Sequence, residues 1–272
     1  MKTKKMQLKE WELAVLPALR ECALKSAPVQ SVTLLAYFFG DDARLEREFY
    51  AIECSFLSAF RNFGRCPAVL VTNRATAQMK GFCERHRIDL QTEPTLIGGD
   101  VTKMSRDCIG RLHRRFTTEY VAVIQTDGLI VNPGLERFVG EYDYIGAPWV
   151  ASTEGWGWSH RRRFPVGNGG FCLRSRRICE DAARVYNAYW KHLPYSWFMC
   201  DDVFYAKTMP ALSRRWRETY RYPDIVTAAQ FSIENHWPVG YPEATRPVGL
   251  HAQAGFDHYT ERFGLPMAEL LD

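Results

Sequence analysis

Between Ser31 and Ile124 the chain alternates short apolar runs with longer segments whose apolar residues recur at helical spacing. Ser31–Phe39, Ala68–Thr72, Ile88–Thr92 and Val121–Ile124 have the length and β-branched content of buried strands. Between them, Leu45, Phe49, Ile52, Phe56 and Phe60 share one helix face, started by a capping carboxylate in Gly40-Asp41-Asp42. A second helix is expected over Ala75–His86 and a basic one over Arg106–Phe116. Strand–helix alternation of this kind requires parallel strands joined by crossover helices. The expected fold is therefore α/β, a Rossmann-type, mostly parallel twisted sheet flanked by helices.

The second half changes character. Loops rich in Trp, Gly, Arg and Pro surround helices expected over Ser175–Lys191 and roughly Asp201–Met209. There is no repeat, low-complexity tract or clean linker, so one domain with two lobes is expected over residues 29–272. Its nucleotide-binding half would end near residue 135. Residues 1–28 read as a helical lead-in: Leu8, Trp11, Val15 and Leu19 share a face, with Pro17 expected to end or kink the helix.

Charge and cysteine usage narrow the class. A net charge of +4 suits an anionic ligand without demanding nucleic acid. The eight cysteines are scattered with no CxxC pair, which argues against a zinc site and for thiols in a reducing compartment. Glu10 and Glu12 interrupt the only apolar segment that could serve as a signal peptide. No apolar run reaches the roughly 18 residues of a membrane span. A cytoplasmic protein without an integral membrane segment is expected.

The chemistry concentrates in five blocks. Gln125-Thr126-Asp127-Gly128 ends the Val121 run, and a carboxylate just past a buried strand sits where open α/β sheets bind ligands. Next come Tyr142–Trp149 (YDYIGAPW) and Val166–Arg174 (VGNGGFCLR), then Cys200-Asp201-Asp202-Val203-Phe204. Phe231-Ser232-Ile233-Glu234 follows, with Gly249-Leu250-His251 beyond it. Each has a plain alternative. Asp127 suits a turn, Gly167, Gly169 and Gly170 suit a loop of unusual backbone, Asp201 or Asp202 suits a helix cap, and His251 alone suits the core.

In linear order, the blocks resemble the GT-A class of nucleotide-sugar glycosyltransferases, and within it a poorly characterised family with QTDG, DYIGAPW, GNGGFxLR, (E/D)DVF and FSxE blocks. The resemblance covers roughly Ser31 to His258. It implies transfer of a sugar from a nucleotide-diphosphate sugar, first of all a UDP-sugar, to an acceptor hydroxyl, with residues 136–272 as the acceptor and catalytic half. The DxD position that binds Mn2+ or Mg2+ with the donor diphosphate falls on Gln125-Thr126-Asp127. Here an amide replaces the first acid, so weak metal binding is implied. His251 matches the late histidine that many such folds place on the same metal. Asp202 matches the general base of inverting members, with Asp201 beside it to orient acceptor hydroxyls.

Trp156, within the run Trp156–Arg163, suggests a lid whose aromatics cover the sugar while Arg163 reaches phosphate. A solvated loop explains that run equally well. Trp149 would wall the sugar, and Asn168 among Gly167, Gly169 and Gly170 would offer an amide where backbone passes close to ligand. The Arg214–Arg221 cluster reads as an exposed helix face able to bind an anionic acceptor. Acceptors consistent with the chain are a saccharide, a protein side chain or a modified nucleic acid. The alternatives are a non-catalytic nucleotide-sugar or carbohydrate binder, in which Gln125 marks lost chemistry, and a nucleotidyltransferase on the same sheet. The last lacks a Gly-rich phosphate loop and a lysine near the first strand.

Overall fold

The computed structural model describes residues 6–25, 27–96, 101–149, 165–194 and 200–271. The chain begins with helix α1 (Leu8–Glu21), then strand β1 (Val32–Tyr37) and helices α2 (Asp42–Arg47) and α3 (Phe49–Phe63). Strand β2 (Ala68–Thr72), helix α4 (Ala77–His86), strand β3 (Asp89–Thr92) and helix α5 (Val101–Gly110) follow. Strands β4 (Tyr120–Ile124), β5 (Gly128–Ile130), β6 (Tyr144–Pro148) and β7 (Val166–Ser175) lead into helix α6 (Arg176–Val185). The remainder is α7 (Asp201–Val203), α8 (Met209–Leu212), α9 (Arg214–Thr219), α10 (Ile225–Phe231), β8 (Ser232–Ile233), β9 (Gly249–His251) and α11 (Ala252–Phe263).

Six strands form the central sheet in the order β3-β2-β1-β4-β7-β6. β3, β2, β1 and β4 run parallel, as the alternation of strands and helices requires, and only β7 runs against its neighbours β4 and β6. The sheet is covered on both faces. One layer packs Phe49, Phe56 and Phe60 of α3 with Trp11 of α1, and the other packs Met104 and Ile109 of α5 with Ile178 of α6. Asp41 caps α2 as expected, accepting a hydrogen bond from the Arg44 N–H at 2.8 Å. The structure is thus mixed α/β, with a mostly parallel sheet between helices. Among the described residues no helix is long and apolar enough to cross a membrane.

Three features depart from the sequence expectations. First, α1 runs through Pro17 without ending there. The proline removes the hydrogen bond to the Leu13 carbonyl, on a part of the helix whose Leu13 is exposed. Second, the glycine-rich Val166–Gly170 is the start of the longest strand, β7, not a loop. Third, a second sheet of three short strands, β5-β9-β8, stands beside the first. Its strands are two or three residues long, too short to leave a periodic signal.

The lead-in helix is a working part of the domain. Its apolar face, Leu8, Trp11, Val15 and Leu19, is buried as expected, with Trp11 against Phe256 of α11 at 5.7 Å. Glu12 lies on the same face, 3% exposed, with Oε1 lacking a hydrogen-bond partner. Burial, reinforced by the charge of Asp127, pushes its carboxyl up to about 8. The unfolded chain ionises Glu12 near its ordinary value of 4.5 and the folded chain does not until about pH 8. Stability present below pH 4.5 is therefore lost as pH rises towards 8. Glu12→Gln should leave the melting temperature unchanged near pH 4 and raise stability at pH 7 by about 3 kcal/mol, measured by urea unfolding at both pH values.

Candidate active site

The site lies past the carboxyl end of β4, where the parallel strands terminate. The turn Gln125–Asp127 is held from beneath by α3. Ser55 Oγ donates to the Gln125 carbonyl (3.1 Å), the Ile130 N–H donates to Ser58 Oγ (3.2 Å), and Asn62 Nδ2 donates to the Ile130 carbonyl (2.8 Å). These three polar side chains, spaced along one stripe of an otherwise apolar helix, satisfy the backbone of the β4–β5 turn. The Gln125 N–H donates to the Gly170 carbonyl (2.8 Å), and the Ala252 N–H to the Asp127 carbonyl (2.9 Å), so β7 and β9 clamp the turn from the other sides. Gln125, Thr126 and Asp127 are half-buried and Gly128 is buried.

Asp127 Oδ1 sits 3.0 Å from His251 Nε2, and Glu234 Oε1 sits 3.6 Å from Nδ1 of the same ring. The Asp127 side chain stays 45% exposed, whereas His251 and Glu234 are nearly enclosed. Burial disfavours charge on His251, but Asp127 and Glu234 outweigh it and lift the imidazolium to about 10. Burial likewise opposes charge on Asp127, and the His251 contact more than compensates, holding its carboxyl below the usual range. Neither ring nitrogen is satisfied by a well-aligned hydrogen bond, nor is Glu234 Oε2.

An anionic oxygen and an imidazole nitrogen, close together and poorly hydrogen-bonded, fit two ligands of one divalent cation. Their 3.0 Å separation is about the edge of an octahedron with 2.1 Å arms. Glu234 would orient the imidazole from its far side. Among the described residues no three His, Cys, Asp or Glu side chains form a ready-made metal cluster. A cation here would need further oxygens from water or a ligand phosphate, as cations of the Mg2+ kind commonly take.

The glycine block puts Asp202 and His251 against neighbouring residues of one strand. Between β6 and β7 the register jumps: Gly146 pairs with Cys172, but the next residue, Ala147, pairs with Asn168. Gly169 and Gly170 therefore lie in a bulge, a device that redirects strand residues next to active sites. A Cβ on Gly170 would lie 2.0 Å from His251 Nε2, and a Cβ on Gly169 would lie 2.8 Å from Asp202 Cβ. Consecutive glycines, their Cα atoms ~3.8 Å apart, thus seat His251 and Asp202. The nearest atoms to these glycines are protein side chains. Gly167 has φ of +138°; its carbonyl accepts from Tyr144 Oη (2.7 Å), and Ala206 and Trp149 occupy the space a side chain there would need. Asn168 Oδ1 accepts from the Gly170 N–H at 3.0 Å, which fixes the bulge.

Adjacent aspartates have separate surroundings. Asp201 is buried and accepts a 2.5 Å hydrogen bond from Arg174 Nη2. Arg174 is fully buried, with its guanidinium over the rings of Tyr205 (4.5 Å) and Tyr144 (5.3 Å). Asp201 is thereby committed to a buried ion pair rather than turned toward an acceptor. Asp202 is half-buried at the first turn of α7; its Oδ1 accepts from the Val203 N–H (2.6 Å) and its Oδ2 from the Gly169 N–H (3.2 Å). Burial and the neighbouring Asp201 charge hold Asp202 above the usual carboxylate range. Such a carboxylate is a stronger base than an exposed one.

Trp156 and Arg163 lie outside the described residues. In the Arg214–Arg221 cluster, α9 buries Trp216, leaves Arg214 and Arg215 exposed, and half-buries Arg217, which donates to the Pro210 carbonyl. Two residues named in the sequence without a role at the site turn out to adjoin it: Glu234, the end of the Phe231–Glu234 block, partners His251, and Glu12 neighbours Asp127. Glu12 could have been found as a carboxylate four residues from both Leu8 and Leu16 on an apolar helix face.

The family described as Protein of unknown function (DUF5672) matches residues 107–251, more than half of the chain. The chain belongs to this family. The DUF5672 segment contains Gln125–Gly128, Gly167–Gly170, Asp201, Asp202, Glu234 and His251, and leaves Glu12 outside. No curated protein matches the chain. Among solved structures it is similar to the glycosyltransferase GlyE of Streptococcus pneumoniae TIGR4, at 16% identity and a TM-score of 0.48, over 81% of this chain and 54% of that one. The chain thus spans about half the length of GlyE. Mouse xyloside xylosyltransferase 1 matches at 10% identity and a TM-score of 0.49, over 81% and 97% of the two chains. The mannosyltransferase PcManGT of Pyrobaculum calidifontis, solved with GDP-Man and Mn2+, matches at 13% identity and a TM-score of 0.40, over 80% and 65%.

Proposed function

We propose that this DUF5672 protein is a metal-assisted glycosyltransferase that moves a sugar from a nucleoside-diphosphate sugar to an acceptor hydroxyl with inversion. The observation that carries this is the seating of Asp202 and the Asp127–His251 pair on consecutive glycines of one bulge. A base for the acceptor and a binding place for the donor diphosphate then both adjoin one bulge at the sheet's carboxyl end.

Asp127 and His251 would hold a divalent cation such as Mn2+ or Mg2+, which supplies charge neutralisation for the departing diphosphate. Glu234 keeps the imidazole oriented. Gln125 contributes an amide where a second acid would add charge, so the cation and the nucleotide bind together rather than the cation alone. Asp202 takes the proton of the acceptor hydroxyl. The acceptor oxygen forms its bond to the anomeric carbon on the face opposite the diphosphate, and the sugar–phosphate C–O bond breaks with its electron pair leaving on the phosphate. Arg174 and Asp201 take no part in these bonds; they fix the start of the helical segment that presents Asp202.

The donor would be a UDP-sugar or another nucleotide sugar, and the acceptor a saccharide or protein hydroxyl. A thermal-shift panel of nucleotide sugars with and without Mn2+ tests this. A ligand at 100 times its Kd adds about 2.7 kcal/mol to stability. One nucleotide sugar should raise the melting temperature in Mn2+ and lose most of that shift in EDTA. A panel without any cation-dependent shift would contradict the assignment.

A further inference from the structure

We propose that the chain carries a second ligand site, a cationic cavity for a small phosphorylated molecule, formed by Arg65, Arg85, His86 and Arg87. The cavity encloses about 550 Å³, within the range of pockets that hold small ligands. It opens at the amino ends of the parallel strands. Gln30 precedes β1, Arg65 precedes β2, and Arg85–Arg87 end α4. Asp127 and Asp202 lie at the opposite, carboxyl end of the sheet, so this cavity is separate from the proposed reaction centre.

Three observations point to an anion. No carboxylate lines the cavity. Among the described residues, none of the three arginine side chains has an ion pair or hydrogen bond, whereas arginines elsewhere, such as Arg20, Arg115 and Arg177, are paired with carboxylates. The three arginines come from two separate segments and stand exposed around one cavity, where an anion would join their charges. Arg87 also adopts a left-handed conformation (φ +57°) at the end of α4, a position where glycine is usual and a side chain costs strain.

His86 supplies a fixed wall. Its ring is stacked on Phe60 (6.2 Å, 20°) and lies against Phe82 (4.6 Å, 44°). Burial first, then the charges of Arg65 and Arg85, hold it below the usual histidine value, while Glu53, itself paired with Arg20, acts the other way. Planar guanidiniums grip phosphate oxygens in pairs, and three of them suit a ligand with two or more negative charges.

The test is calorimetric titration of inorganic pyrophosphate into the full chain in EDTA, which disables any cation-dependent site. Expected are saturable binding to the wild type, at least about tenfold weaker binding to Arg65→Gln/Arg85→Gln, and unchanged binding to Asp127→Asn. Arg87→Gly should raise the melting temperature by relieving strain while weakening pyrophosphate binding. Absence of saturable binding to the wild type, undiminished binding to the double variant, or loss of binding in Asp127→Asn would overturn the proposal. Binding of an oligonucleotide through these arginines without binding of pyrophosphate would also overturn it.

Discussion

Asp201→Asn is expected to destabilise the protein by about 3–5 kcal/mol, a fall of about 10 °C in melting temperature, whereas Asp202→Asn should leave stability nearly unchanged. The two residues are neighbours and the substitutions identical; only the environment differs. Asn at 201 removes the carboxylate that pairs with Arg174 at 2.5 Å, and Arg174, 0% exposed, loses its ion-pair partner. Asn at 202 gives up one of two backbone hydrogen bonds, about 1 kcal/mol. It also removes a charge that burial and Asp201 already disfavour. For turnover the order reverses. Asp202→Asn should lower kcat by about 10²–10⁴ with nucleotide binding retained, the usual effect of losing a general base. Differential scanning calorimetry and steady-state transfer on the same two variants check both halves. Equal stability losses, or full turnover in Asp202→Asn, would reject the division of roles.

Gly170→Ala is the second large effect. The added methyl would fall 2.0 Å from His251 Nε2, inside any real contact distance, so the ring must leave its place beside Asp127. Overpacking of this kind costs about 1–3 kcal/mol. Cation-dependent nucleotide binding should disappear with it. The double variant Gly170→Ala/His251→Ala has room for the methyl and should be more stable than the sum of the single effects predicts. Its nucleotide binding should remain absent. If Gly170→Ala binds nucleotide and cation as the wild type does, the bulge does not position His251.

Much of the framework was legible because it is local. The β-branched runs of β1, β2 and β4 and the phenylalanine face of α3 declare their periods within a few residues. Asp127 was legible for the same reason: it interrupts an apolar run at the point where the strand must end. What sequence did not disclose depends on partners far along the chain. Val166–Gly170 has the composition of a loop, yet extends β7 because Val166 and Asn168 pair with Pro148 and Ala147 of β6 and the Gly170 carbonyl accepts from the Gln125 N–H just past β4. Its glycines are demanded by Asp202 and His251, about 33 and 81 residues later. Periodicity could not separate Asp201 from Asp202, since both sit in one helical turn and only Arg174, a charged residue in the core, decides which turns inward. Glu12 faces Asp127 across more than a hundred residues of sequence. Pro17 does not end α1, which continues to Glu21.

The central claim is that Asp127 and His251 grip a cation together with a nucleoside diphosphate. Titration of Mn2+ followed by electron paramagnetic resonance, with and without UDP, measures this directly in the wild type and in Asp127→Asn. The account predicts tight Mn2+ uptake by the wild type only when UDP is present, and loss of that uptake in Asp127→Asn. Mn2+ binding that ignores UDP, or that survives unchanged in Asp127→Asn, would contradict it.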